Sequence, residues 1–225
     1  MKKFFTIIPI LLLATVAYSQ KLSQVRFENS TNLSYFSFLT DQGVLIRVSV
    51  DGKVLEWGTE VMSDRGNYYA PKLQPFMGRV EYYGAESDTT SKGKVKSIGS
   101  SFLSYYGAYE EGSKRGKLKA LGSLQFDYYS NYDEKNLQGK LKMIGTYFLE
   151  YYGQFENEAV RGKLKSIGNM PITYYSPFED RYNAGKLKSI GTVSYAWYSE
   201  YDRAKGALKS NNYRATVGGI TFVLQ

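Results

Sequence analysis

Six tyrosines, Tyr83, Tyr106, Tyr129, Tyr152, Tyr175 and Tyr198, stand 23 positions apart, and the lysine pairs Lys117/Lys119, Lys140/Lys142 and Lys163/Lys165 keep step with them. Aromatic planes repeated beside ammonium groups can hold an extended anionic polymer by stacking and by charge. The same residues suit a plainer task, in which phenol rings and lysine stems cover an exposed sheet face while the ammonium groups stay in water. The chain has no histidine and no cysteine, which removes histidine-based triads, thiolate nucleophiles, disulfides and the usual zinc ligands. Carboxylate pairs could serve a glycosidase. The acids here recur at one position of the period, however, which fits cross-strand pairing better than one asymmetric catalytic centre. Gly-Lys-Leu-Lys is not a phosphate-cradling loop, because no helix follows it. The expectation is a non-enzymatic protein without a cofactor.

The elements that must position these residues are written in the same period. Aromatic pairs recur at Tyr82-Tyr83, Tyr105-Tyr106, Tyr128-Tyr129, Tyr151-Tyr152, Tyr174-Tyr175 and Trp197-Tyr198. A Gly-Lys-Leu/Val-Lys block restarts at Gly93, Gly116, Gly139, Gly162 and Gly185, and decays at Gly206. A fixed period of this length means stacked supersecondary units, each needing its neighbours to bury an apolar face. Aromatic and β-branched residues between glycines argue for strands. In the copy from Gly139 to Arg161, Lys140 to Ile144 read as a short strand, Gly145 as a break, Tyr147 to Phe155 as a longer strand and Glu156 to Arg161 as a polar loop.

Alternation places Tyr147, Leu149, Tyr151, Gly153 and Phe155 on an apolar side, with Phe148, Glu150, Tyr152, Gln154 and Glu156 on a wet one. The register decides where the lysines go, since a one-residue slip exchanges the faces. Pairing Phe155 with Leu164 puts Glu156 opposite Lys163 and brings Lys163 and Lys165 to the side of Tyr152. Each such matched pair is worth about 0.2 to 1 kcal/mol. The same acid-to-lysine spacing recurs at Glu110/Lys117, Asp133/Lys140 and Glu179/Lys186. A β-solenoid would stack equivalent lysines about 4.8 Å apart, with repulsion of roughly 0.9 kcal/mol per pair in water. A meander separates them by about 9.6 Å and lowers that to about 0.1 to 0.2 kcal/mol. The fold expected is therefore all-β: an elongated antiparallel meander of 23-residue two-stranded repeats with an N-terminal capping β-unit.

Outside the repeats, Lys2 and Lys3 precede the apolar run Phe4 to Ala14, and Ala17-Tyr18-Ser19 supplies a signal-peptidase pattern. Residues 1–19 read as a signal peptide, so the product is expected in the periplasm or outside the cell, with the outer membrane the less favoured location. Removing both lysines lowers the formal charge from +8 to +6, which still favours anionic partners. Residues 20–77 read as the N-terminal cap, with a hairpin of Val44 to Val50 and Lys53 to Trp57 around Asp51-Gly52 and a connecting loop over Ser63 to Pro75. Residues 78–205 hold the Tyr/Lys-rich repeats, and 206–225 read as degenerate C-terminal capping strands.

The series Tyr151, Gly153, Phe155 and Gly162 has the order aromatic, any residue, glycine, any residue, aromatic, with a glycine seven positions on. It resembles the MORN repeat, which shares the 23-residue period. The resemblance covers residues 78 to about 205 and departs from the family pattern at Glu158, at Leu164 and at Ser130, Ser176 and Ser199. It implies a β-hairpin array serving as a non-enzymatic scaffold, linked in several cases to lipid or membrane surfaces. The functional expectation is a binding platform at the cell envelope for an anionic polysaccharide or lipid headgroups, with export favouring these over nucleic acid. Two alternatives stay open: an outer-membrane β-barrel, and a purely structural protein that self-associates or covers its apolar face with its own cap.

Overall fold

The computed structural model describes residues 20–61, 72–210 and 212–224. The expected signal peptide and most of the expected Ser63–Pro75 loop lie outside the described residues, while Leu73–Pro75 at the end of that loop is a strand. Every regular element described is a β-strand. The chain opens with β1 (Lys21–Glu28), β2 (Asn32–Leu39), β3 (Leu45–Ser49), β4 (Val54–Glu60) and β5 (Leu73–Pro75). The repeats supply β6 (Val80–Tyr82), β7 (Val95–Ile98), β8 (Ser101–Tyr105), β9 (Leu118–Leu121), β10 (Leu124–Tyr128) and β11 (Leu141–Ile144). They continue with β12 (Tyr147–Tyr151), β13 (Leu164–Ile167), β14 (Met170–Tyr174), β15 (Leu187–Ile190) and β16 (Val193–Ser194), and β17 (Arg214–Val217) and β18 (Ile220–Leu224) close the chain.

β6 to β16 form an 11-stranded sheet in strict chain order, the elongated meander expected from the period. Its hairpins turn on Gly99, Gly122, Gly145, Gly168 and Gly191, at φ of 54 to 56°. Positive φ at the first central residue alone is the demand of a type II′ turn, and glycine meets it without a Cβ clash. The Asp51-Gly52 hairpin is also present, with Gly52 at φ 80°.

The register differs from the expected one. Leu164 pairs with Tyr151 rather than Phe155, and the ladder slips between Glu150 and Tyr151 so that Lys165 is an extra, unpaired residue. The same β-bulge recurs in each copy, at Glu81/Tyr82, Ser104/Tyr105, Asp127/Tyr128 and Thr173/Tyr174. Its cause is visible in Leu-Lys-Ser-Ile: Leu164 and Ile167 are both buried although three apart, and strict alternation would turn one of them outward. One bulged residue restores both to the core and bends the strand. The long strand therefore ends at Tyr151, and Phe155 falls in the loop beyond it. There, Glu156 N–H donates to Gly153 O at 3.3 Å and Arg161 N–H to Asn157 O at 2.9 Å.

The segments flanking the repeats build a second sheet, in the order β17-β18-β1-β2-β3-β4-β5, with β18 parallel to β1. Arg214 on β17 makes a two-pronged ion pair with Glu60 on β4, at 3.0 and 3.1 Å, so this sheet curls enough for strands five places apart to meet. Its apolar side lies on the inner face of the meander, where Phe38 and Phe126 meet edge to face at 5.1 Å. Fully burying such a ring contributes about 1.5 to 3 kcal/mol. Among the described residues, three backbone bonds join the layers at one rim: Leu118 N–H to Gly52 O at 3.1 Å, Leu141 N–H to Val50 O at 2.8 Å and Leu187 N–H to Ser30 O at 2.9 Å. The apolar face of the repeats is thus covered from within the chain.

Candidate ligand-binding face

The two tyrosines of each pair do different work. After the first copy, where Tyr82 is 55% exposed, the first is directed into the core and donates backwards to a carbonyl ten residues earlier: Tyr128 Oη to Leu118 O at 2.7 Å, Tyr174 Oη to Leu164 O at 3.0 Å, Tyr105 Oη to Val95 O at 3.0 Å, with Trp197 Nε1 doing the same to Leu187 O at 2.7 Å. Tyr151 breaks the series, because its buried hydroxyl has no partner among the described residues. The second tyrosine is half-buried and donates forwards to the next copy. Tyr83 reaches Leu103 O, Tyr106 reaches Phe126 O and Tyr129 reaches Leu149 O, each at 2.8 Å; Tyr152 reaches Ile172 O at 3.1 Å and Tyr175 reaches Tyr195 O at 3.0 Å. Neighbouring rings meet edge to face, as Tyr129 and Tyr151 do at 5.9 Å.

The phenol ladder is therefore a stitch between copies as well as a surface. Tyr129→Phe and Tyr152→Phe are each expected to lower stability by about 0.5 to 1.5 kcal/mol, the usual net worth of one hydrogen bond. Urea titration of the single variants measures this directly. Truncation to alanine at either position removes packing too, and does not isolate a binding contact.

The bulge separates the lysines that the sequence places together. Lys119, Lys142 and Lys165, with Lys188 and Lys209, lie on the outer face over the rings of Tyr106, Tyr129, Tyr152, Tyr175 and Tyr198, at 5.3 to 5.8 Å from the centroids. Lys117, Lys140 and Lys163, with Lys94 and Lys186, form an inner column over the core-side rings of Tyr128, Tyr151, Tyr174, Tyr105 and Trp197, at 4.9 to 5.1 Å. Each inner ammonium donates to a glycine carbonyl of the next copy, as Lys140 does to Gly162 at 2.7 Å and Lys186 does to Gly206 at 2.6 Å. Burial holds the inner lysines below the usual ammonium range, and pushes Lys163 down to about 8. This column borders a cleft of about 250 Å³ between the sheets, walled by Lys140, Lys163, Arg161, Tyr151 and Asn32.

The expected acid–lysine partners shift with the register. Glu110 faces Lys119 at 3.8 Å rather than Lys117, and Glu179 pairs with Lys188 rather than Lys186. Asp133 accepts from Ser130 N–H and hydroxyl, at 2.6 and 2.8 Å, instead of pairing with Lys140. No ion pair to Lys142, Lys165 or Lys209 forms among the described residues, so these three outer-face ammonium groups are tied to no carboxylate.

A further row escapes the strand-based reading. Tyr109, Tyr132, Phe155, Phe178 and Tyr201 are again 23 apart, and all are between 90 and 101% exposed. Strand alternation puts Phe155 and Phe178 on the apolar side; the early end of each strand moves them to loop tips instead. Gly107 and Gly112 around Tyr109, and Pro177 before Phe178, are the turn signals that mark this row in the sequence.

No protein-family model, curated protein or solved structure matches the chain.

Proposed function

We propose that this protein is a non-enzymatic scaffold and binding platform, exported to the cell envelope, that holds an extended polymer across its repeats. The observation that carries this reading is translational: the same ammonium, phenol and carboxylate groups recur on one outer face once per copy, at a fixed pitch. A ligand complementary to such a row is itself periodic. The outer lysines favour a polymer with anionic groups, an envelope polysaccharide first and lipid headgroups second, by charge and by contact with the half-buried rings. The MORN-like motif agrees with a scaffold of hairpins. A membrane-spanning barrel draws no support from repeat strands of two to five residues, at most about half of the roughly 9 to 11 that a bilayer requires.

The test is retention of the mature chain on an immobilised acidic polysaccharide at increasing salt. Lys142→Gln with Lys165→Gln is expected to lower affinity by roughly tenfold at low salt and to flatten the salt dependence, because exposed charges are screened over about 8 Å in physiological salt. Undiminished affinity in the folded double variant rejects the outer lysines as the contact.

A further inference from the structure

The exposed aromatic row asks for an explanation that the fold does not supply. A single exposed ring is ordinary, but five at equivalent loop positions are not, and the first copy shows that the loop tolerates a polar residue there, Glu86. The position holds tyrosine three times and phenylalanine twice, so the property common to the five is the ring face and not the hydroxyl.

The loop backbone that carries the rings is held in place. Each lies in a turn closed from the following acid, as in Glu110 N–H to Gly107 O and Asp133 N–H to Ser130 O, both 3.3 Å. In three copies the amide just before the ring is fixed by a carboxylate of the preceding copy. Ala108 N–H donates to Asp88 at 3.3 Å, Gln154 N–H to Glu134 at 2.8 Å, and Asn131 N–H to Glu111. A backbone ordered before binding loses little freedom on contact, which lowers the cost of binding.

We propose that Tyr109, Tyr132, Phe155, Phe178 and Tyr201 form a stacking edge for the sugar rings of a β-1,4-linked polysaccharide, one sugar face per copy. This rests on the platform reading and names its ligand class. Each copy contributes two strands, so successive rings stand about 9.6 Å apart. A β-1,4 chain turns over at every residue and presents an equivalent face once per disaccharide, a distance of about the same length. The acid after each ring, Glu110, Asp133, Glu156, Glu179 and Asp202, keeps acceptor capacity for sugar hydroxyls.

The chemistry of the row favours a sugar chain. The carboxylate beside every ring accepts from hydroxyls, and Glu110 and Glu179 are paired with Lys119 and Lys188, so each copy offers a ring face with polar partners. Rings this far apart, with polar groups between them, do not merge into the continuous apolar patch that a protein partner would need.

The experiment uses the mature chain, with hexameric chito- and cello-oligosaccharides, an acidic polysaccharide and phosphatidylglycerol vesicles as probes. Tyr132→Ser, Phe155→Ser and Phe178→Ser are combined in one variant, whose melting temperature should match the parent because these side chains are exposed. The parent is expected to bind an oligosaccharide more tightly as the oligosaccharide lengthens, and the triple variant to lose roughly tenfold or more. Full glycan affinity in the triple variant overturns the stacking edge while leaving the platform intact, as does binding to vesicles alone. If the parent binds none of the probes, both readings fall.

Discussion

Gly52→Ala is expected to destabilise the protein by about 3 kcal/mol, as the sum of a left-handed backbone penalty of about 1 to 2 kcal/mol and an overpacking penalty of about 1 to 3 kcal/mol. Gly52 sits at φ 80°, and a methyl group there would lie 2.6 Å from two ring carbons of Tyr128 as well as against its hydroxyl. That ring cannot step aside. It is 1% exposed, and its hydroxyl is bonded to Leu118 O while Leu118 N–H is bonded to Gly52 O. Gly52, Leu118 and Tyr128 together are one of the places where the covering sheet is fastened to the repeats.

Gly43→Ala is the internal control. Gly43 has nearly the same φ, 73°, and a methyl group added there would meet nothing within 4 Å, so only the backbone penalty should appear. Urea midpoints of the two variants should therefore differ clearly, and the excess at Gly52 should shrink in a Tyr128→Ala background. Equal costs at the two glycines would mean that the sheets do not meet at this joint.

The second large effect is cooperative alkaline unfolding between about pH 10 and pH 12. Burial raises the hydroxyls of Tyr128, Tyr151 and Tyr174 far above the ordinary tyrosine value. A group whose folded value is raised contributes its stability fully below the unfolded value, here about 10, and loses it as the pH climbs towards the folded value. Each such tyrosine then removes about 1.4 kcal/mol per pH unit, so three remove about 4 kcal/mol per unit from a total typically of about 5 to 15 kcal/mol. The inner lysines act in the opposite sense over a lower window. Lys163, held at about 8, and its depressed neighbours bind fewer protons in the folded state, so stability should rise modestly from about pH 8 towards 10. Melting temperature against pH should therefore climb and then collapse, with a late step in tyrosinate absorbance, that of the buried phenols, appearing together with the loss of strand signal. Ionisation of every phenol, the buried ones included, in a chain that stays folded would contradict the buried ladder.

The period, the two strands per copy, the glycine turns and the Asp51-Gly52 hairpin were legible in the sequence, because each is set within a few residues by backbone sterics or by the spacing of apolar side chains. The split of Lys140 from Lys142, and the release of Phe155 from its strand, were not. Leu164 and Ile167, three apart and both apolar, hinted at a bulge, but a bulge forms only if both side chains have a core to enter, and that core comes from Phe36, Phe38 and Phe222 of the covering sheet. The parallel pairing of β1 with β18 joins residues about 200 positions apart, beyond the reach of any local pattern. Local geometry, then, determined the repeating unit by itself; which side of it faces water was decided only by packing between distant segments, because burial is a property of the assembled pair of sheets and not of either strand.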